Sequence, residues 1–313
     1  MSGARAALLS VPMSALSNQP RPGASLLDAV LGSVLDDLAA DRASTADGPG
    51  DSSGSAGPGN AGGARAGGGA GGSSDSGQEV GSGGPGPLLA DPAVVLDCGG
   101  GSGSRAVPLA VRGAVVTVID SSIDALAILS RRAAEAGVGD RIHGVQADVE
   151  SLADVTAPAS ADLVLVHGVL DVTRDPAHVL AAAAAVVRTG GYLSVVVPNP
   201  VAAVLTRALA GDLSSALAEL AVTDPATAAV GAGSAAVLDL DGLRVLVEAA
   251  GLEVTATQGL GAFSSSVPGS VLDGQPAARA VLDELDRRGA VRSPYREIAG
   301  RLHLLARRPA GQI

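Results

Sequence analysis

Apolar residues recur along this chain with two different periods. Between residues 24 and 42, Leu26, Leu27, Val30, Leu31, Val34, Leu35 and Leu38 fall three and four apart, which predicts an amphipathic helix. Ser25 is placed to cap it, and Asp36, Asp37 and Asp41 fall on its solvated side. An apolar stripe must be buried, so this helix is expected to dock on the main domain. From residue 92 the period changes. Ala93 to Leu96, Ala114 to Ile119, Arg141 to Ala147, Asp162 to Val166 and Tyr192 to Val197 are short apolar runs. Helical stretches at 104–112, 123–136 and 176–188 alternate with them. Continuous apolar strands between helices predict a parallel sheet covered on both faces. Beyond Asn199 the pattern predicts a helix over 201–222, an Ala/Gly-rich loop over 223–238 and a helix over 240–250 starting near Asp239 or Asp241. Leu252 to Leu260 reads as a sixth strand, 276–289 as a charged helix and Leu302 to Ala306 as a last strand. Those final two strands are expected as an antiparallel pair at the sheet edge.

Composition divides the 313 residues. Residues 44–87 are nearly all Gly, Ser, Ala, Asp and Pro, which bury nothing and predict a flexible linker. The expected organisation is a flexible N-terminus (1–22), a docking helix (23–43), that linker, and one α/β domain over 88–309, with substrate-side insertions at 199–239 and 262–298. Lysine is absent, so every basic residue is arginine, and a net charge of −11 argues against broad nonspecific nucleic-acid binding. A lone cysteine, Cys98, excludes an intramolecular disulfide and a cysteine-rich metal site. The four histidines have no ligand spacing, so no metal is expected. The longest apolar run, Leu180 to Val187, is far below the roughly 18 to 20 residues that span a bilayer. The N-terminal run is too short and polar for a signal peptide, so a cytoplasmic protein without membrane partners is expected.

The chemistry gathers at strand ends. After Asp97, four of the next six residues are glycine (Gly99, Gly100, Gly101 and Gly103), and a helical stretch follows at once. Strand, glycine turn and helix let backbone N–H groups approach a nucleotide-like ligand without Cβ interference. In an open α/β sheet, ligands bind beyond the carboxyl ends of the strands. There the chain offers Asp120, then Asp148, then His167, at the ends of strands two, three and four. Asp120 lies 21 residues past Gly99, where a carboxylate can accept from ribose hydroxyls. Asp148 can accept from an adenine amine. Taken singly, each is also an ordinary turn or cap residue. Both NAD(P) and S-adenosylmethionine suit such a layout. A dinucleotide fingerprint counted from Gly99 would require glycine at 104, where Ser104 stands.

At this point the chain resembles the class I S-adenosylmethionine-dependent methyltransferases over residues 92–308. The segments that carry the likeness are Val-Leu-Asp-Cys-Gly-Gly-Gly-Ser-Gly, Val-Thr-Val-Ile-Asp-Ser-Ser, Gln-Ala-Asp-Val-Glu, Ala-Asp-Leu-Val-Leu-Val-His-Gly-Val-Leu-Asp and Arg-Thr-Gly-Gly-Tyr-Leu-Ser. The resemblance implies a Rossmann-like seven-stranded α/β sheet, mostly parallel with an antiparallel last strand, and S-adenosylmethionine as cofactor. It implies cofactor contacts from Asp97, Gly99, Gly100, Gly101, Gly103, Asp120, Ser121, Asp148, Val149 and His167. Within that superfamily the chain is similar to tRNA 5-carboxymethoxyuridine methyltransferases, on His167 to Pro176, Leu193 to Asn199 and the tail from Ser293. That likeness implies a carboxylate on a tRNA wobble uridine as acceptor. Asn199, Tyr295 and Arg296 are the expected substrate-side residues. Eight arginines against four acids in 279–308 could bind phosphate or carboxylate, or form a solvated face. The alternatives are a small-molecule oxygen or nitrogen acceptor, and a cofactor-binding homologue without turnover.

Overall fold

A computed structural model describes residues 24–46, 92–223, 238–273 and 275–310. The flexible N-terminus, nearly all of the linker and most of the 223–238 loop expected from sequence lie outside these residues. Seven strands form one sheet in the order β3-β2-β1-β4-β5-β7-β6. They are β1 (Val94–Cys98), β2 (Val115–Asp120), β3 (Ile142–Gln146), β4 (Ala161–His167), β5 (Val187–Pro198), β6 (Glu253–Leu260) and β7 (Arg301–Arg307). The first five pair in parallel, while β7 runs antiparallel between β5 and β6. The fold is therefore the Rossmann-like, mostly parallel sheet that the resemblance implied.

Alternation along the strands sorts the core into two layers, because successive side chains point to opposite faces. Val95, Val116, Val118, Leu163, Leu165 and Val196 pack with α1 (Ala24–Ala46), α2 (Ala106–Val111) and α3 (Ile123–Glu135). Leu96, Ile119, Val164, Val166, Leu193 and Val195 pack on the other face with α5 (Pro176–Val186) and with α8 (Leu240–Ala249). Short turns link these layers, with α4 (Leu152–Val155) between β3 and β4. Capping side chains set the helix starts: Ser122 accepts from Ala125 N–H at 3.2 Å, and Asp175 accepts from His178 N–H at 2.9 Å.

α1 lies against the first of these faces. Leu27, Leu31, Val34, Leu35 and Leu38 are all buried there. Ion pairs line its edges, from Asp28 to Arg105, Asp36 to Arg112 and Asp41 to Arg307. Asp36 and Asp41 are thus exposed but paired. At its far end Arg42 reaches Asp162 at 2.6 Å, a buried carboxylate that Arg188 also pairs and that accepts from Val94 N–H at 2.6 Å. Ser25 falls inside the helix, which begins at Ala24, so it is not the cap.

The second half corrects one further expectation. The helix over 201–222 is two, α6 (Pro200–Leu209) and α7 (Leu213–Thr223), because Gly211 takes a φ of +81° and stops the first. The short α9 (Gly269–Leu272) and the charged α10 (Pro276–Gly289) complete the chain. No helix among the described residues is long and apolar enough to cross a membrane.

Candidate functional site

The ends of β1, β2, β3 and β4 are neighbours, so the sheet brings the expected cofactor residues to one edge. The glycine loop leaving β1 is strained in a way only glycine tolerates. Gly99, Gly101 and Gly103 take φ of +68°, +55° and +79°. A Cβ on Gly99 would stand 2.5 Å from Val169 Cγ2, and one on Gly100 would strike the Asp97 carboxylate. The loop is held from β2, where Asp120 Oδ2 accepts from Gly101 N–H at 2.9 Å. The other oxygen of Asp120 accepts from Ser122 N–H at 2.9 Å.

Beside the loop is a cavity of about 130 Å³. Asp97, Gly99, Gly100, Gly101 and His167 line it, together with Ser102, Ser104, Arg105, Val196, Leu260, Arg301 and Leu27 of α1. Asp97 is 2% exposed and its Oδ2 has no hydrogen-bond donor among the described residues. Burial pushes its carboxyl up to about 7, against the pull of Arg105 and with the push of Asp120. His167 is held well below the ordinary histidine range, first by burial and then by His303, Arg105 and Arg301. The ring is therefore neutral. Cys98 is buried and its thiol is pushed up by desolvation, so it fills space and is no nucleophile. A cavity with an undonated carboxylate at one wall and guanidinium groups at another suits a zwitterion, such as the α-amino acid end of a ligand.

The remaining expected residues separate into two groups. Asp120, Ser121, Asp148 and Val149 stand outside the cavity, at the ends of β2 and β3. Asp148 also works as a cap, accepting from Glu150 N–H at 2.9 Å. Asn199, Tyr295 and Arg296 are not in the cavity lining. Asn199 is 3% exposed and its amide is engaged within the chain. Its Nδ2 donates to the carbonyls of Glu297 and Ala299 at 2.8 and 2.7 Å, and its Oδ1 accepts from Val201 N–H at 3.0 Å. It ties the β5–α6 junction to the loop before β7. Tyr295 lies against Phe263 with ring centroids 5.3 Å apart, and Arg296 pairs with Glu297 at 2.8 Å.

The arginine-rich tail is also more committed than its composition suggests. Arg287 and Arg288 share Glu284, whose carboxyl they hold down at about 2, Arg307 pairs with Asp41, and Arg308 donates to the carbonyls of Val187 and Ala184. Sequence reasoning missed Arg105 and Leu27 as lining residues, and counted Arg301 only as one member of the tail. It also missed Ser194 and His303, buried polar side chains interrupting apolar strands. Those interruptions, Leu-Ser-Val and Leu-His-Leu, were the available signal. Among the described residues no cluster of three metal-ligating side chains occurs.

Residues 96–195 match the family model described as a methyltransferase domain. The tRNA 5-carboxymethoxyuridine methyltransferase of Escherichia coli O157:H7 is 26% identical over 215 residues, covering 69% of this chain and 80% of that protein. Its namesake from Escherichia coli strain K12 is 32% identical over 118 residues, covering 38% and 45%. A ubiquinone biosynthesis O-methyltransferase of Paracidovorax citrulli (strain AAC00-1) is 40% identical over 99 residues, covering 32% and 41%. The chain thus spans four fifths of the first relative and under half of the other two.

Proposed function

We infer that this chain, a class I S-adenosylmethionine-dependent methyltransferase, transfers the methyl group to a carboxylate oxygen of a modified tRNA wobble uridine. The observation that carries this acceptor is the reach of the first relative. Its 215 matched residues exceed the hundred of the methyltransferase domain at 96–195 and so take in chain beyond residue 195, where we place the substrate side, whereas the ubiquinone relative matches only 99.

The residues fit the cofactor. The undonated Asp97 Oδ2 can accept from an ammonium, and Arg105 can donate to the carboxylate at the same end of the ligand. Gly99, Gly100 and Gly103 let the loop pack against Val169, Asp97 and Leu129, where a Cβ would collide, and so hold its backbone in the turn beside the cavity. We assign Asp120 and Ser121 to the ribose side, Asp148 and Val149 to the adenine, and His167 to the methionine end. The cofactor supplies an electrophilic methyl on sulfur, and the chain's residues supply alignment and exclusion of water. An acceptor carboxylate is ionised at neutral pH, so no general base is required. Arg301, which lines the cavity, is the residue we assign to orient its oxygen pair, in place of Arg296.

Incubation of the protein with methyl-labelled cofactor and total tRNA tests this reading. The expected product is tRNA-bound label that mild alkali releases as methanol, the behaviour of a methyl ester. No label in tRNA, or label that survives alkali, sinks it. A second reading, methylation of a hydroxyl on an apolar small molecule, is favoured by the aliphatic surface of α6 and α7. Leu209, Leu213 and Leu217 are 71%, 67% and 69% exposed there. Alkali-stable label appearing only in a metabolite extract would support it.

A further inference from the structure

A row of hydrogen-bonded polar side chains crosses the sheet face beneath α1. The row starts at the cavity with His167 on β4 and crosses three more strands. His167 Nε2 lies 2.8 Å from Ser194 Oγ on β5, Ser194 Oγ lies 3.0 Å from His303 Nε2 on β7, and His303 Nδ1 lies 3.2 Å from Gln258 Oε1 on β6. The strand order makes this possible, because β4, β5, β7 and β6 are consecutive neighbours, with Val196 beside both His167 and His303 and with Gln258 facing His303. The two imidazoles stand nearly perpendicular, at 89°, with centroids 6.5 Å apart. Ser194 and His303 are wholly buried. Two wholly buried polar groups, flanked by the partly buried His167 and Gln258, cost stability unless each finds its partner, so the row has a defined donor direction.

That direction follows from the chemistry of each member. Gln258 Oε1 can only accept, so His303 carries its proton on Nδ1 and presents a lone pair at Nε2. Ser194 then donates to His303 and accepts from His167 Nε2–H. The remaining nitrogen, His167 Nδ1, is a bare lone pair. It is also the one buried ring nitrogen of the row without a hydrogen-bond partner among the described residues. The reverse arrangement, with the Gln258 amide turned round, would put an N–H at Nδ1. Of the charged side chains lining the cavity, Arg105 and Arg301 favour the lone pair there and Asp97 favours the N–H. Arg105, although also paired with Asp28, and Arg301 both act on the His167 ring as cations and no carboxylate among the described residues offsets them there, which decides for the lone pair.

We propose that Ser194, His303 and Gln258 are positioning residues that lock His167 in the Nε2–H form, so that its Nδ1 accepts a hydrogen bond from the ammonium of the cofactor's methionine end. Asp97 Oδ2, in the same cavity and equally without a donor, takes a second N–H of that ammonium. The row thus reads a group that nucleosides lack. This inference rests on S-adenosylmethionine as cofactor and not on the tRNA acceptor.

The test uses the whole chain and two ligands, S-adenosylhomocysteine and 5′-methylthioadenosine, which share the nucleoside but not the amino acid end. Titration calorimetry on Ser194→Ala should show S-adenosylhomocysteine weakened roughly three- to tenfold, with methylthioadenosine unchanged. Ser194→Thr, which keeps the hydroxyl, should restore the affinity. Equal weakening of both ligands would mean general damage to the site and would overturn the proposal, as would unchanged affinity for both. Nitrogen-15 NMR of histidine-labelled protein supplies a readout that needs no variant of the row. Bound to S-adenosylhomocysteine, His167 should be protonated at Nε2 and His303 at Nδ1. The opposite tautomers, or an imidazolium at His167, would refute the locked row even if the chain proves to be a methyltransferase. A wild-type chain that binds neither ligand would instead refute the cofactor itself.

Discussion

The two halves of the sheet do different kinds of work. From β1 to β4 the site is backbone: positive φ at three glycines, strands that end at Cys98, Asp120 and His167, and a loop N–H held by a neighbouring strand. From β5 onward it is held by side chains: Asn199 on the carbonyls of Glu297 and Ala299, Arg296 on Glu297, Arg287 and Arg288 on Glu284. Backbone requirements restrict sequence to one or two residue types at fixed positions. Side-chain pairs can be met by many residues at many positions. The first half therefore announces its ligand, and the second half does not announce its acceptor.

If that contrast is right, the largest loss on substitution should come from the backbone-determined half. Gly99→Val places a branched side chain at a φ of +68° and against Val169. The left-handed conformation alone costs roughly 1–2 kcal/mol, and the overlap adds to it, so S-adenosylhomocysteine affinity should fall by at least about a hundredfold. Retained affinity in calorimetry would remove the loop from the site. Asp120→Ala should follow, at about 1.5–3 kcal/mol, because it deletes a charged acceptor and frees Gly101 N–H. Unchanged binding would move the ribose assignment elsewhere.

A smaller effect should appear as pH dependence. Asp97 titrates near 7 when folded, raised by burial from an ordinary carboxyl value. Between about pH 4 and 7 the folded chain then holds a proton that the unfolded chain has released, so apo stability should decline as pH rises across that window and level off above it. An ammonium ligand favours the ionised carboxylate, so S-adenosylhomocysteine affinity should rise over the upper part of the same range. Asp97→Asn should flatten both trends in denaturant titrations and calorimetry. A pH-independent wild type would show that Asp97 is ionised throughout. Smallest of all should be Arg287→Ala with Arg288→Ala. Their charges are spent on Glu284 at the surface, so tRNA affinity in filter binding should change less than about threefold. A larger loss would make α10 a phosphate-binding face and erase the contrast between the halves.

The same physical difference explains what could be read beforehand. The strands, the helices between them and the glycine loop all follow from local rules, because hydrophobic period and glycine density are visible residue by residue. Helix 201–222 was misread as one because Gly211 inside a helical pattern can be tolerated or can stop the helix, and spacing does not say which. The bonds of Asn199 to the carbonyls of Glu297 and Ala299 could not be foreseen, because those partners lie about a hundred residues away in sequence. The row from His167 to Gln258 was illegible for a related reason. Its four members are scattered from residue 167 to residue 303 and meet only because β7 inserts between β5 and β6. Likewise, periodicity could require α1 to bury a stripe but could not say that Leu27 would line the cavity.

The central claim is that this backbone cradle holds S-adenosylmethionine and no dinucleotide. Isothermal titration of the full-length chain with S-adenosylhomocysteine and, separately, with NADH tests it most directly. The account predicts one-to-one saturable binding of S-adenosylhomocysteine and no heat from NADH. Binding of NADH without binding of S-adenosylhomocysteine would contradict it.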